Sequence, residues 1–415
     1  MGKLAITGGV PVRTKPWPSW PIHDEREEEL LLAVCRSGDW AAANRPMEAA
    51  FSEKFAAFAR AKYAVCLMNG TIALQLALEA LDVGAGDEVI VPGYTWQATA
   101  AACLDVNAIP VIVDVDPETY CIDPAPAEAA ITPNTRAIIP VHLYGCMADM
   151  DCIMAIAKKH DLKVVEDCAQ SHGSQWRDLG AGAIGDVGAF SMQHSKVLAS
   201  GEGGAVITSD DDLYERLCAL RHCGRPRQGE KSPIQSGNYR MTEFQAAVLL
   251  AQLERLEEQV NHRDENATYL NERLAEIPGI KPMKRHPQIT RQSYFSFVFR
   301  YDSSAFDGAP RSAFLAALSA EAGLKPHIIF EPLNKCRLYN PQTKRRHRWS
   351  EDYWRAIDPS RFHLPVCEKA HREECVAFHH PFLLGARTDM DDFADAVAKV
   401  YENSTELAGC ADSQT

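Results

Sequence analysis

No apolar run in this 415-residue sequence reaches the roughly 18 residues that a membrane span requires. The opening MGKLAITGGVPVRTKPWPSWP lacks the continuous apolar core of a secretory signal. Although it starts Met-Gly, Ile6 stands where a myristoylation pattern carries Ser or Thr. Basic residues are scarce relative to acidic ones, 43 against 56, for a net charge of −13. Nucleic acids are bound by clustered Lys and Arg, so no nucleic-acid partner is expected. The one basic run, Lys344-Arg345-Arg346-His347-Arg348, reads as a solvated loop. The C-x-x-C and H-E-x-x-H spacings are missing, which removes common zinc signatures. The neighbours His379 and His380 would point to opposite faces of a strand and make a poor pair of metal ligands. No internal repeat or low-complexity tract is present.

Thirteen cysteines are present, but the number is odd and many lie in apolar stretches (Cys66, Cys103, Cys168, Cys218), as reduced thiols do. A cytoplasmic protein is therefore expected, and the Asn-x-Thr triplets at Asn69, Asn266 and Asn403 read as chance matches rather than glycosylation sites. The length exceeds what a single hydrophobic core usually serves, so more than one domain is expected.

Between residues 63 and 208, short apolar, β-branched runs alternate with helical patterns. The predicted strands are 89–92, 111–115, 137–145, 164–167, 188–192 and 205–208; the predicted helices include 73–81 and 150–160. That rhythm implies an α/β fold with a mostly parallel sheet between helices. The link from 192 to 205 is too short for a helix, so that pairing need not be parallel. Thr242 and Gln245 match a capping box and open a long helix. Beyond it, a strand at 293–300 and a helix at 311–323 belong to a second, smaller α+β unit. The layout is an N-terminal segment (1–30), a large domain (31–265) and a small domain (266–415), with the final 12 or so residues frayed.

Three segments bear chemistry, each at the carboxyl end of a strand, where open α/β sheets hold ligands. In MNGTIALQLALEAL the turn Asn69-Gly70-Thr71 opens a helix whose first N–H groups suit a phosphate; an ordinary capped helix reads the same way. In KVVEDCAQSHG, Asp167 ends a buried strand and needs a partner, either a cationic ring nitrogen or the next helix's N–H groups. In GAFSMQHSKVLASGEGG, Lys196 sits between apolar segments whose burial would lower its pKa and free a nucleophilic amine. Ser191 could serve the same anion as Gly70 and Thr71. The stretch Gly180-Ala181-Gly182-Ala183-Ile184-Gly185 fits the dinucleotide pattern G-x-G-x-x-G, but it precedes a strand rather than opening a helix, so that reading is set aside.

Together these segments resemble the DegT/DnrJ/EryC1/StrS family of aminotransferases, which have the fold-type I architecture of pyridoxal-phosphate (PLP) enzymes. The resemblance runs from about residue 17 to 400. It implies that Lys196 holds PLP as a Schiff base and shuttles a proton, and that Asp167 pairs with the ring nitrogen. It further implies that Gln170 bonds the phenolic oxygen, that Ser191, Gly70 and Thr71 hold the phosphate, and that Trp96 stacks on the ring. Asn238 would reach the phosphate in a neighbouring subunit, giving a homodimer with shared sites. The segments ETYCIDP, PVHLYGCMADMD, RQSYFSFVFR and FHHPFLL resemble the subgroup that moves the amino group of L-glutamine onto scyllo-inosose or 2-deoxy-scyllo-inosose in aminoglycoside biosynthesis. Alternatives are a sugar-nucleotide ketone as acceptor, a 3-amino-5-hydroxybenzoate synthase, or a PLP-dependent dehydratase or non-catalytic relative; dehydratases carry His in place of the lysine. Arg225, Arg240 and Arg291 are available for the donor carboxylate.

Overall fold

A computed structural model describes residues 2–41, 46–227, 233–344 and 350–409. Its centre is a seven-stranded sheet of β1 (Tyr63–Leu67), β2 (Glu88–Pro92), β3 (Ile109–Val113), β4 (Thr135–Ile138), β5 (Lys163–Asp167), β8 (Val187–Ser191) and β9 (Gly204–Thr208), in the order β1-β9-β8-β5-β4-β2-β3. Two short strands, β6 (Gln175–Trp176) and β7 (Leu179–Gly180), fall between β5 and β8 in the chain and pair outside this sheet. Strands β2, β3, β4, β5 and β8 are parallel, and β9 runs antiparallel to both its neighbours, β8 and β1. Nearly every residue of these strands is buried, which explains why they read as unbroken apolar runs rather than alternating ones.

Helices α1 (Glu25–Ser37) and α2 (Pro46–Ala59) precede the sheet. Its parallel strands are joined by α3 (Gly70–Ala80), α4 (Ala98–Asp105), α5 (Pro124–Ala129) and α6 (Met150–His160). Side-chain oxygens cap several of these helices. Asn69 Oδ1 accepts from the Ile72 N–H at 2.9 Å, and Asp149 Oδ1 from the Cys152 N–H at 3.1 Å. After β9 come α7 (Asp211–Arg221) and the long α8 (Glu243–Ala275), opened by the Thr242/Gln245 capping box.

Helix α8 links two hydrophobic clusters. Leu249, Leu256 and Val260 belong to the large cluster around the sheet, whereas Ala267, Leu270 and Leu274 belong to a second one. The second cluster lies over the antiparallel sheet of β10 (Ile280–Pro282), β12 (Ser296–Tyr301) and β13 (Cys375–His379), with α9 (Arg311–Ala322) and α12 (Arg387–Glu402). A small sheet of β11 (Ile289–Arg291), β6 and β7 lies apart from it. The short helices α10 (Glu351–Ala356) and α11 (Pro365–Lys369) complete the chain, and Ile357, Leu364 and Cys367 return to the first cluster. The 265/266 boundary expected from sequence falls inside α8.

Four expectations change. The predicted strand 137–145 stops at Ile138, and the chain turns at Tyr144 (φ 58°) and Gly145 (φ 94°). A side chain at 145 would meet the backbone nitrogen of Tyr294 at 2.6 Å, so a crossing segment, invisible locally, dictates the turn. Strand β1 is an addition to the predicted strands. Of the final 12 or so residues, Ser404–Gly409 form a 3-10 turn that buries Leu407 in the second cluster, and 410–415 lie outside the described residues. His379 and His380 do not diverge, because β13 ends at His379 and a 3-10 turn begins at His380; both Nε2 atoms reach the Ser195 carbonyl, at 2.9 and 3.2 Å. Of the basic run, Lys344 pairs with Asp105, and residues 345–348 lie outside the described residues.

The glycine-rich stretch at 180–185 has a structural task. The N–H groups of Gly182, Ile184 and Gly185 converge on the buried carboxylate of Glu166 at 2.7–2.9 Å, and His142 Nε2 adds a fourth contact at 2.8 Å. Burial disfavours the Glu166 anion, but His142 and these N–H groups outweigh it and hold the carboxyl below its usual range. Among the described residues no helix is long and apolar enough to cross a membrane.

Candidate active site

A cavity of about 660 Å³ opens where β1, β2, β5 and β8 end. Its lining includes seven of the eight site residues expected from sequence: Gly70, Thr71, Trp96, Asp167, Gln170, Ser191 and Lys196. The eighth, Asn238, is exposed in the segment before α8 and is absent from the lining. Its Oδ1 accepts from the Arg240 N–H at 3.4 Å.

One end of the cavity is an anion cradle. The first-turn N–H groups of Gly70 and Thr71 have no intrahelical acceptors, and the helix dipole is positive there. A Cβ on Gly70 would lie 2.5 Å from Ser191 Cβ, so the glycine allows α3 to start directly against the end of β8.

Deeper in, Asp167 is 5 % exposed. Thr99 donates to its Oδ2 at 2.8 Å and the Ala169 N–H to its Oδ1 at 3.1 Å. Burial raises its pKa, while these two donors and the charge of Lys196 pull the other way. Gln170 uses its side-chain oxygen to accept from the Tyr144 N–H at 2.8 Å, which leaves its NH2 group for a ligand. Trp96 is half exposed at the rim.

Lys196 is half-buried, and its Nζ lies 4.5 Å from the centre of the Phe295 ring. Loss of hydration lowers its pKa to about 8, against the stabilising carboxylate of Asp167. The loop is pinned from several sides. The Lys196 N–H donates to Gln193 O at 2.8 Å, the Ser195 carbonyl takes the two histidine contacts, and Trp20 Nε1 donates to His194 O at 3.0 Å.

Sequence reasoning missed Thr99, Phe295, His327, Ile328 and Phe330, which also line the cavity. The last four come from beyond residue 290; of them Phe295 alone lies in a segment noted above, RQSYFSFVFR, and none was expected as a site residue. None of Arg225, Arg240 and Arg291 lines it. Arg291 instead faces a wider, more open groove of about 760 Å³ beside α8. Of the three arginines there, Arg285 pairs with Asp264 and Arg291 with Glu257, while Arg387 lies over the Tyr269 ring; the groove gathers no residue expected from the sequence to hold a cofactor, so the enclosed cavity with its converging groups is the better reaction site. Among the described residues the one cluster with metal-ligand geometry is His142, Glu166 and Cys168, in which Glu166 is already saturated by the glycine-rich loop.

This architecture is that of solved aminotransferases. The structure of 3-amino-5-hydroxybenzoic acid synthase superimposes with a TM-score of 0.81 at 32% identity, covering 94% of this chain and 99% of that one. For Streptomyces venezuelae DesV the values are 0.77 and 34%, with coverages of 91% and 94%. Residues 21–377 match the DegT/DnrJ/EryC1/StrS aminotransferase family, and the chain belongs to it. Among curated relatives, the L-glutamine:2-deoxy-scyllo-inosose aminotransferase of Streptoalloteichus tenebrarius is 46% identical over 97% of this chain and 99% of its own length. The enzyme of the same name from Streptomyces fradiae is 43% identical over 98% and 99%.

Proposed function

We propose that this aminotransferase moves the amino group of L-glutamine onto a cyclitol ketone, scyllo-inosose or 2-deoxy-scyllo-inosose, in aminoglycoside biosynthesis. The reading is carried by near full-length identity of 43–46% to two enzymes named for that reaction. The solved 3-amino-5-hydroxybenzoic acid synthase shares the fold at a lower identity of 32%, which favours the cyclitol reading over that alternative. Residues 31–265 would act as the cofactor domain and 266–415 as the small one, in a cytoplasmic homodimer.

The cavity residues fit pyridoxal phosphate. A side chain at Gly70 would crowd the anion cradle against Ser191, and among the described residues the buried Asp167 carboxylate has no cationic partner in direct contact. Gly70, Thr71 and Ser191 would hold the phosphate, Asp167 the ring nitrogen, Gln170 the phenolic oxygen and Trp96 the ring face. Once bound, the cofactor supplies an electron sink for the carbon that loses its proton. The remaining work belongs to the chain. Asp167 keeps a proton on the ring nitrogen, Thr99 holds the Asp167 carboxylate in orientation, and the Lys196 amine takes and returns a proton at the substrate carbon. Asn238 would act on the phosphate of a neighbouring subunit.

The test is to incubate purified enzyme with L-glutamine and a panel of inososes and keto-sugar nucleotides, then identify aminated products by mass spectrometry. An aminated inosose is expected. Amination of nucleotide-linked ketones alone would overturn the proposal.

A further inference from the structure

The part of the cavity wall contributed by residues beyond 290 consists of Phe295, His327, Ile328 and Phe330. Its one polar side chain is His327. The charged residues of the whole lining are Asp167, Lys196 and Glu202, with no arginine among the described residues. This wall therefore presents an apolar surface with a single hydrogen-bonding group.

That group is held firmly. Nδ1 of His327 and Oγ of the buried Ser296 lie 2.8 Å apart, and the His327 N–H donates to Ala377 O at 2.7 Å. The ring packs edge-on to Phe295 at 5.4 Å and beside His379 at 4.6 Å. His379 in turn donates to Ser195 O, next to the lysine. Since Lys196 Nζ lies 4.5 Å from the same Phe295 ring, the amine and the imidazole stand no further apart than these two distances combined. One six-membered polyol ring can bridge that gap. Among the described residues Nδ1 is the one ring nitrogen of His327 that meets a hydrogen-bond partner, which leaves Nε2 for a ligand.

Burial lowers the His327 pKa to about 3, helped by His379 and Lys196, so the imidazole is neutral at physiological pH. A neutral ring anchored through Nδ1 offers at Nε2 either a donor or an acceptor, depending on which way the Ser296 contact runs. A hydroxyl satisfies both cases, because it donates and accepts. A carboxylate or phosphate would satisfy only one of them, and on this wall it would find no cation.

We propose that His327 is a specificity residue that hydrogen-bonds a ring hydroxyl of the amino acceptor through Nε2. The inference rests on the cyclitol reading above and deepens it.

The test uses the holoenzyme, measures kcat/KM for L-glutamine and for the acceptor separately, and compares 2-deoxy-scyllo-inosose with a set of inososes each lacking one further hydroxyl. His327→Phe keeps an aromatic ring and removes the polar edge. Its kcat/KM for the full acceptor should fall about tenfold, the worth of one neutral hydrogen bond, and by more than any change for glutamine. For one deoxy acceptor, the one that lacks the contacted hydroxyl, wild type and variant should converge. His327→Gln, which can put an amide near the position of Nε2, should recover part of the loss, and it carries the same comparison if the Phe variant fails to fold. An equal loss with every acceptor, or an equal loss for glutamine, would mean that His327 only packs the wall, and would overturn the proposal. A wild-type enzyme that aminates no inosose would overturn the cyclitol reading itself, a result visible before any variant is made.

Discussion

Gly70 and Ser191 meet so closely that a methyl group at position 70 would lie 2.5 Å from Ser191 Cβ. The contact brings the positive end of a helix and a strand-end hydroxyl to one point. Gly70→Ala should wedge them apart, at about 1–3 kcal/mol of overpacking strain. If this is the phosphate cradle, cofactor retention falls as well; equilibrium dialysis of the variant against PLP checks this, and unchanged retention would refute the cradle.

Lys196 should show its depressed pKa directly. Its amine is half deprotonated near pH 8 rather than 10.5. In the cofactor-free protein, the rate of PLP capture should rise with pH through about 8 and level off above it. The folded pKa lies below the unfolded one, so between these values the unfolded chain binds more protons, and the destabilisation due to Lys196 is relieved as pH rises from about 8 toward 10.5. Lys196→Ala should remove both the capture reaction and transamination, as spectrophotometric titration would show.

Asp167→Asn keeps the shape and the Thr99 contact but removes the charge. Turnover should drop about 10²-fold or more, the scale of losing one preorganised electrostatic contact. Thr99→Val should have a smaller effect in the same direction, since one neutral donor is lost. Single-turnover kinetics with glutamine separates the two, and a fully active Asp167→Asn would remove this residue from the mechanism.

Asn238 is exposed and absent from the cavity of its own chain. Asn238→Ala should therefore weaken PLP retention only in assembled protein. Retention measured across a dilution series, alongside light scattering, decides the point; an unchanged profile would leave Asn238 without a role in the neighbouring site.

Glu166→Gln should destabilise the fold by about 3–5 kcal/mol, because the buried donors converging on that carboxylate lose their anion. The Glu166 pKa is depressed, so its contribution is present above the ordinary carboxylate range and is lost as pH falls. Urea denaturation at several pH values reads both effects.

The readable parts of the sequence were those set by local chemistry. Asn69 and the Thr242/Gln245 pair announce their helices because capping is a short-range bond. Asp167 and Ser191 are recognisable because a polar residue ending an apolar strand is conspicuous, and Lys196 because it lies in a loop between apolar segments. The overlong 137–145 strand was illegible because Tyr294, about 150 positions away, decides where the chain turns. Phe295, His327 and Phe330 were invisible for the same reason, since they reach the cavity from segments about 100 or more positions beyond Lys196. The dinucleotide-like glycines show the converse: their spacing serves a carboxylate belonging to the protein itself.

Glu166 and Asp167 are consecutive acids on one strand, so they face opposite ways. Glu166 is locked into the glycine-rich loop, while Asp167 points into the cavity. A slip of β5 by one residue would exchange them and put the wrong acid in each place. The anchored glutamate therefore acts as an alignment pin, by which a contact on the far side of the strand sets the direction of the carboxylate that lines the cavity.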